Sequence, residues 1–163
     1  MAKDKGLVRR VLQILSPEDQ ETLAILHDPP LMEELLRRQE TLRDIRAAGL
    51  TGGVVAPLTG AQGSRQAPAG LRVFPAVLDE LAELPPAVRE ALLQAHLPAL
   101  AAAPEEGLAL TQLFQGLWVS TCTVNDVDYR IIYEIEPPST AITVLLIGTW
   151  TSLERRLEAN EAP

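Results

Sequence analysis

The sequence predicts an α+β fold, in which a small, mainly antiparallel sheet packs on a hairpin of helices and is preceded by a helical extension. Three observations predict it. Apolar residues recur with helical spacing before residue 50, residues 51–70 contain five glycines and two prolines, and three β-rich runs follow residue 116. We therefore expect a helical segment at 1–50, a flexible linker at 51–70 and a sheet-containing domain at 71–163.

The first two helices of the segment are short. The apolar side of the first, over residues 7–15, consists of Leu7, Val11 and Ile14 or Leu15. In the stretch SPEDQETLAIL, Ser16 is typical of an N-cap and Pro17 of the first helical position, and acids follow in the first turn. A second helix is therefore expected from Pro17 through Leu26.

The third helix, predicted from Leu31 to about Ala48, carries the clearest apolar stripe. The stripe consists of Leu31, Leu35, Leu42 and Ile45, supported by Met32 and Leu36. The polar side consists of Glu33, Glu34, Arg37, Arg38, Arg43 and Asp44. The stretch HDPP should stop the preceding helix, because the second proline disfavours an α conformation at the first, and Gly49 is the expected C-cap.

Residues 71–163 are predicted to follow the order β-α-α-β-β-β. LRVF is a short strand, and PAVLDELAEL and PPAVREALLQAHLPALAAAP are helices, the second of which should kink or end near His96 because of Pro98. The runs LWVSTCTV, YRIIYEIE and AITVLLIGTW are strands joined by the turns NDVD and PPST. The helix residues expected in the core are Val77, Leu78, Leu81, Val88, Leu92 and Leu100.

Charge and composition exclude several classes of function. The net charge is -8, and residues 71–163 hold five arginines and no lysine against thirteen acids, so this part would repel a phosphate backbone. The single cysteine, Cys122, can form no internal disulfide and, without a Cys/His cluster, anchors no zinc. No run of 18 apolar residues is present. We expect a soluble cytoplasmic protein with no cofactor, metal or membrane partner.

The later part of the chain resembles a known family over residues 71–155. The stretches LRVFPAVLDELAELPPAVREALL, FQGLWV, DYRIIYEIE and ITVLLIGTW are similar to those of the RelE/ParE superfamily of bacterial type II toxins. The resemblance implies the β-α-α-β-β-β fold. It also implies one of two activities, since the RelE branch cleaves messenger RNA in the ribosome without a metal and the ParE branch blocks DNA gyrase.

The earlier part fits the same interpretation. The stretch SPEDQETLAILHDPPLMEELLRRQETLRDIRAAG is similar to the toxin-binding part of Phd/YefM-type antitoxins, which wrap apolar helices over such toxins. The resemblance implies a toxin fused to a truncated antitoxin. Contact between the two is expected through Leu31, Leu35, Leu42 and Ile45 of the third helix and through Ile132 and Trp150 of the sheet.

The expected catalytic residues are mostly absent. Metal-free RNA cleavage needs a base, an acid and cations around the developing phosphorane charge, and in RelE-like toxins basic residues of the sheet do this work. Arg130 keeps the family's Tyr-Arg position and is the candidate catalytic residue. After Gly148, however, Thr149 and Trp150 stand where the family often has His-Arg, and Glu154 falls about where a Tyr is common.

Strand periodicity separates two faces of the run YRIIYEIE. One face carries Tyr129, Ile131, Tyr133 and Ile135, and the other carries Arg130, Ile132, Glu134 and Glu136. If the first face packs on the helices, Arg130 lies among carboxylates, and its pairing with Glu134 or with an acid of the N-terminal segment is favoured over catalysis. Trp118 and Trp150 could stack bases, but they are more typical of a core edge or a partner contact.

Two functions remain open. The first is an interaction module, a toxin-fold domain held by its tethered antitoxin-like segment, in cis or as a domain-swapped homodimer, with weak or no ribonuclease activity. The second is an active toxin inhibited in cis, whose partner would be the ribosome with mRNA or gyrase. Removing residues 1–50 is expected in either case to expose an apolar groove and lower solubility.

Overall fold

The structure, a computed structural model, describes residues 10, 13–47, 56–57, 71–135 and 142–149. In sequence order its helices are α1 (Pro17–Leu26), α2 (Pro29–Ala47), α3 (Pro75–Glu83), α4 (Pro86–Ala91) and α5 (Leu97–Ala102). Its strands are β1 (Ala56–Pro57), β2 (Leu71–Val73), β3 (Leu108–Ala109), β4 (Leu117–Val124), β5 (Val127–Ile135) and β6 (Ile142–Gly148). The α+β class predicted from the sequence is confirmed.

The described strands form one sheet in the order β1-β2-β6-β5-β4-β3. Strand β2 pairs with β6 in parallel, and the other neighbours pair antiparallel. Between β5 and β6 the register shifts, because Ile132 faces Leu146 while Tyr133 faces Val144. Leu145 is therefore an extra residue in β6, and such a bulge reorients the backbone groups that follow it.

Helices cover both faces of the sheet, and each face has its own apolar core. The hairpin core lies between the sheet and α3–α5 and consists of Leu71, Val73, Val77, Leu81, Val88, Leu92, Leu97, Leu100, Tyr129, Ile131, Tyr133, Ile142, Val144 and Ile147. The segment core lies on the side of α1 and α2 and consists of Ile25, Leu35, Leu42, Leu110, Phe114, Leu117, Val119, Ile132, Leu145 and Leu146. Residues that alternate along β5 therefore belong to opposite cores, as the period of two predicts.

Helix α1 begins where the sequence predicts, whereas α2 begins at Pro29, before the predicted Leu31. Ser16 Oγ accepts a hydrogen bond from Asp19 N at 3.1 Å and caps α1. HDPP ends α1, but α2 already begins at Pro29, and Asp28 Oδ1 accepts from Leu31 N at 3.4 Å. Prolines are tolerated there because the first amides of a helix have no intrahelical partner, and this outweighs the disfavoured α conformation before a proline.

Pro98 does not end its helix. A π-helical turn, Leu92–His96, connects α4 to α5, and Pro98 lies in the first turn of α5. The wider turn accommodates a residue that cannot donate to the helical ladder, so the chain stays helical to Ala102. Of the predicted core residues on these helices only Leu78 is misplaced, since it is 42% exposed.

The β4–β5 turn is tighter than the predicted NDVD. Asn125 and Asp126, with φ of 52° and 65°, form a two-residue connection, and β5 begins at Val127. Asparagine and aspartate tolerate this left-handed conformation, which matches the strand twist. Within the predicted linker, Ala56–Pro57 pairs with β2 as a short strand.

Several predictions lie outside the described residues. They are most of the helix at 7–15, the Gly49 cap, the rest of 51–70, the PPST turn, Glu136, Trp150 and Glu154. In the part of the chain that is described, no helix is long and apolar enough to cross a membrane.

Candidate functional site

The candidate site is the sheet face on the side of α1 and α2, here called the covered face. Its sheet residues in the segment core are Leu117, Val119, Ile132, Leu145 and Leu146, and the helices contribute Ile25, Leu35 and Leu42. Leu35 is fully buried and Leu42 is 2% exposed. The apolar stripe of α2 thus has its counterpart on this face, and the polar groups around the core determine its chemistry.

Arg130 lies on the covered face, where β5 pairs with Thr121 of β4 and Gly148 of β6. Its guanidinium Nε donates to Glu21 Oε2 at 3.0 Å, and Nη2 lies 3.4 Å from Glu21 Oε1. The residue is 9% exposed. A carboxylate of α1 therefore accepts from two nitrogens of this guanidinium.

A second polar cluster positions α1 against the loop after β3. Thr111 N donates to Thr22 Oγ1 at 2.8 Å, and Thr111 Oγ1 donates to Asp19 Oδ1 at 2.7 Å. Thr22 is fully buried, and its hydroxyl donates to Glu18 O at 2.9 Å. The sequence carries no signal of this cluster, because an aspartate and a threonine on α1 do not indicate a partner that is distant along the chain.

Arg38 is buried at the β6 side of the covered face, although the helix pattern placed it on the polar side of α2. Its Nη1 forms an ion pair with Glu80 of α3 and donates to Leu145 O at 2.9 Å. Its guanidinium carbon lies 5.8 Å from the centre of the Phe74 ring. Burial raises the pKa of Glu80 above the usual carboxyl range, and the ion pair with Arg38 partly opposes that rise.

Two further titratable side chains, His96 and Cys122, lie on the opposite side of the sheet. His96 Nε2 lies 3.2 Å from Ser120 Oγ, and burial lowers the pKa of His96. Burial also raises the pKa of the Cys122 thiol. Trp118 stacks on Tyr133 with ring centres 6.5 Å apart. This imidazole therefore meets the sheet on the side of the hairpin core and cannot act together with Arg130.

The residues predicted to join the N-terminal segment to the sheet are mostly buried. Leu35, Leu42 and Ile132 belong to the segment core, and Leu31 packs against it, partly buried. Ile45 is 9% exposed. Trp150 lies outside the described residues. Across the described ranges, no group of three or more His, Cys, Asp or Glu side chains is placed to hold a metal ion.

No protein-family model and no curated protein matches this chain. Among solved structures, a chain of the intact E. coli RelBE toxin–antitoxin complex is similar, with 19% identity and a TM-score of 0.40 over 50% of this chain and 95% of that chain. The isolated E. coli RelE toxin has 20% identity and a TM-score of 0.42 over 56% of this chain and 94% of that chain. An E. coli RelE mutant in complex with an antitoxin RelB peptide has 21% identity and a TM-score of 0.41 over 55% and 90%.

Proposed function

We propose that this chain is a toxin–antitoxin-type fusion, in which a RelE/ParE-like domain is held by its own helical, antitoxin-like segment and has weak or no ribonuclease activity. The observation that carries the proposal is the pair between Arg130 and Glu21. Arg130 is the residue that the family resemblance assigns to catalysis, and α1 neutralises it.

The apolar contacts support the same function. Leu35 and Leu42 lie in one core with Ile132, so α2 covers the face on which Arg130 stands. Fully burying a leucine contributes about 1.5–3 kcal/mol. The two leucines together therefore contribute about 3–6 kcal/mol to holding the helix on the sheet.

The chemistry of the face favours an inactive domain. Among the described residues of β4, β5 and β6, Arg130 is the only Lys, Arg or His. Glu134 follows it on the same strand face, and a carboxylate a few ångströms from a scissile phosphate costs on the order of 1–4 kcal/mol. RNA cleavage through the 2′-hydroxyl would need further cations around the phosphorane and a proton donor for the leaving oxygen.

A second candidate function is an active toxin inhibited in cis, either a ribosome-dependent endoribonuclease or a gyrase inhibitor. What favours it is that Arg130 is retained but only 9% exposed under α1. Displacing α1 and α2 would expose this guanidinium together with an apolar surface. On this alternative the segment is a reversible lid, whereas on the first it is a permanent part of the domain.

A tether makes the closed arrangement favourable in one chain. The connection between the two parts in one chain makes their contact intramolecular, and an effective concentration in the millimolar range is typical of such a link. If the separate pieces bound with a dissociation constant of about 1 μM, closure would be favoured roughly a thousandfold, or by about 4 kcal/mol. The same tether would allow the segment to bind a second copy as a domain-swapped dimer.

Growth of bacteria that express defined variants separates the two functions. The set comprises the full chain, residues 71–163 alone, and the full chain with Leu35→Asp and Leu42→Asp, each with and without Arg130→Ala. We expect no growth arrest from any of them, provided that circular dichroism shows a folded product. Arrest by the fragment or the double aspartate variant that Arg130→Ala abolishes would instead establish the active toxin.

A further inference from the structure

The β6 edge that faces β2 is only partly paired. Strand β2 ends at Val73, opposite Val144, and Phe74 N donates to Val144 O at 2.8 Å as the last backbone contact between the two segments. Beyond this point β6 continues to Gly148. Unpaired backbone groups at a buried edge are costly, so Leu145 O and Ile147 N need partners.

Two side chains supply those partners. Arg38 Nη1 donates to Leu145 O at 2.9 Å, and Ile147 N donates to Glu80 Oε2 at 3.4 Å. The donor comes from α2 and the acceptor from α3, and the two groups form an ion pair with each other. Together they provide one donor and one acceptor in sequence along the edge, which is what a neighbouring strand would provide.

The surroundings of Arg38 suit a guanidinium rather than an ammonium. One Nη1 group bonds both Glu80 and Leu145 O, while Nε donates to Glu34 Oε2 at 3.3 Å. The planar group also lies over the Phe74 ring, with its carbon 5.8 Å from the ring centre. A lysine ammonium could donate to Glu80 and Leu145 O from its one nitrogen, but it has no second nitrogen for Glu34 and no planar group to lie over the Phe74 ring.

We propose that Glu80, Leu145 O and Phe74 form a guanidinium-binding site on the sheet domain, and that this site selects the arginine-bearing helix α2 as its partner through Arg38. The significance of this selection rests on the proposed function, in which α2 is the antitoxin-like element. The occupant is α2 of the same chain, and the chemistry that is recognised is a guanidinium on an amphipathic helix.

The burial of the pair explains why the site would discriminate. The side chain of Arg38 is 9% exposed and that of Glu80 is 23% exposed. Removing one member of such a pair leaves the other charge desolvated and uncompensated. A helix without the arginine would therefore leave Glu80 and Leu145 O without the donor that they have now, while a helix with it satisfies both.

The neighbouring Arg37 provides a matched control. Its side chain is 68% exposed and forms an ion pair with Glu34 of the same helix. Exposed pairs of this kind contribute little. Replacing Arg37 therefore removes the same charge from α2 while the contacts of Arg38 with Glu80, Leu145 O and Phe74 stay in place.

The experiment measures urea unfolding and hydrogen exchange of the α2 amides in the full chain. For Arg38→Lys we expect the unfolding equilibrium constant to rise at least tenfold, and for Arg38→Ala roughly a hundredfold. Millimolar ethylguanidinium should restore part of the stability and the α2 protection of Arg38→Ala, while ethylammonium at the same ionic strength should not. Arg37→Lys and Arg37→Ala should stay within about twofold of the parent chain.

Coupling to Glu80 completes the test. In a Glu80→Gln background the effect of Arg38→Lys should shrink by at least about fivefold, because the carboxylate to which the guanidinium directs its donor is gone. Equal stability of Arg38→Lys and the parent, or equal effects of that substitution in both backgrounds, would overturn the proposal even if Arg38→Ala fails to fold. These readouts do not depend on toxicity, so a harmless toxin fold leaves the result unaffected.

Discussion

Tyr133 shows how a single buried side chain fixes the packing of a loop. It is fully buried in the hairpin core, and its hydroxyl donates to Pro104 O at 2.5 Å. Gly107 lies against it, and a Cβ there would come within 2.8 Å of Val119 O. The absence of a side chain at Gly107 lets the loop before β3 approach the sheet, and the tyrosine hydroxyl holds the loop there. Burial raises the pKa of Tyr133 to about 12.

Replacing Tyr133 by Phe should therefore change stability in a pH-dependent way. At pH 8 the variant should be less stable by about 1 kcal/mol, because Pro104 O loses its donor. An unfolded tyrosine ionises near pH 10, whereas the folded one resists ionisation to about 12, so the parent chain loses stability over that interval and the variant does not. Urea unfolding between pH 8 and 11 should show the gap closing. Tyr129→Phe serves as the matched control, and a constant gap for Tyr133→Phe would contradict the pKa assignment.

Two arginines show what a sequence can and cannot indicate about a site. The family resemblance singles out Arg130, the period of its strand indicates its face, and pairing with Glu134 or with an acid of the N-terminal segment is the expectation. Arg38 could not be singled out, because helical periodicity gave it to the polar side of α2. Its burial follows from a long stem that reaches the β6 edge. That edge is determined by where β2 ends, which is a property of tertiary structure.

At the scale of elements, helix α2 is the part whose packing was most predictable. A stripe at helical spacing identified Leu35 and Leu42, and both are buried in the segment core. Its predicted start, Leu31, is two residues late, because the prolines that follow one helix can also begin the next. The π turn before Pro98 could not be predicted either, because the local sequence does not show that packing keeps the helix continuous past a proline.

Shortening the α2 leucines should reveal how strongly this helix is held. We expect Leu35→Ala and Leu42→Ala each to lower the free energy of unfolding by about 2–5 kcal/mol, because each leaves a cavity between helix and sheet. Leu113→Ala provides the control for the chemistry of the substitution, since that side chain is 60% exposed and should cost less than about 0.5 kcal/mol. Urea denaturation of the full chain measures all three. An effect of Leu35→Ala no larger than that of Leu113→Ala would mean that α2 does not rest on the sheet in solution.

At the scale of the whole molecule, the sheet separates two apolar cores and contributes side chains to both. Tyr133 and Ile131 belong to the hairpin core, while Ile132 between them belongs to the segment core. The sequence pattern and the family resemblance indicated the first layer of helices and the order of elements along the chain, and the stripe of α2 indicated that a helix covers an apolar surface. Neither could indicate how α1 sits, because its cluster with Thr111 depends on a loop distant in sequence.

Because β5 contributes to both cores, α1 and α2 should unfold together with the sheet domain. We expect calorimetry of the full chain to give one transition whose calorimetric and van't Hoff enthalpies agree, as for a single cooperative unit. The double variant with Leu35→Asp and Leu42→Asp should lose this coupling, so that α1 and α2 unfold at a lower temperature than the sheet. Two separate transitions in the parent chain would mean that α1 and α2 unfold independently of the sheet. Helices that unfold first would uncover Arg130 while the sheet is still folded, and this result would support the active-toxin alternative.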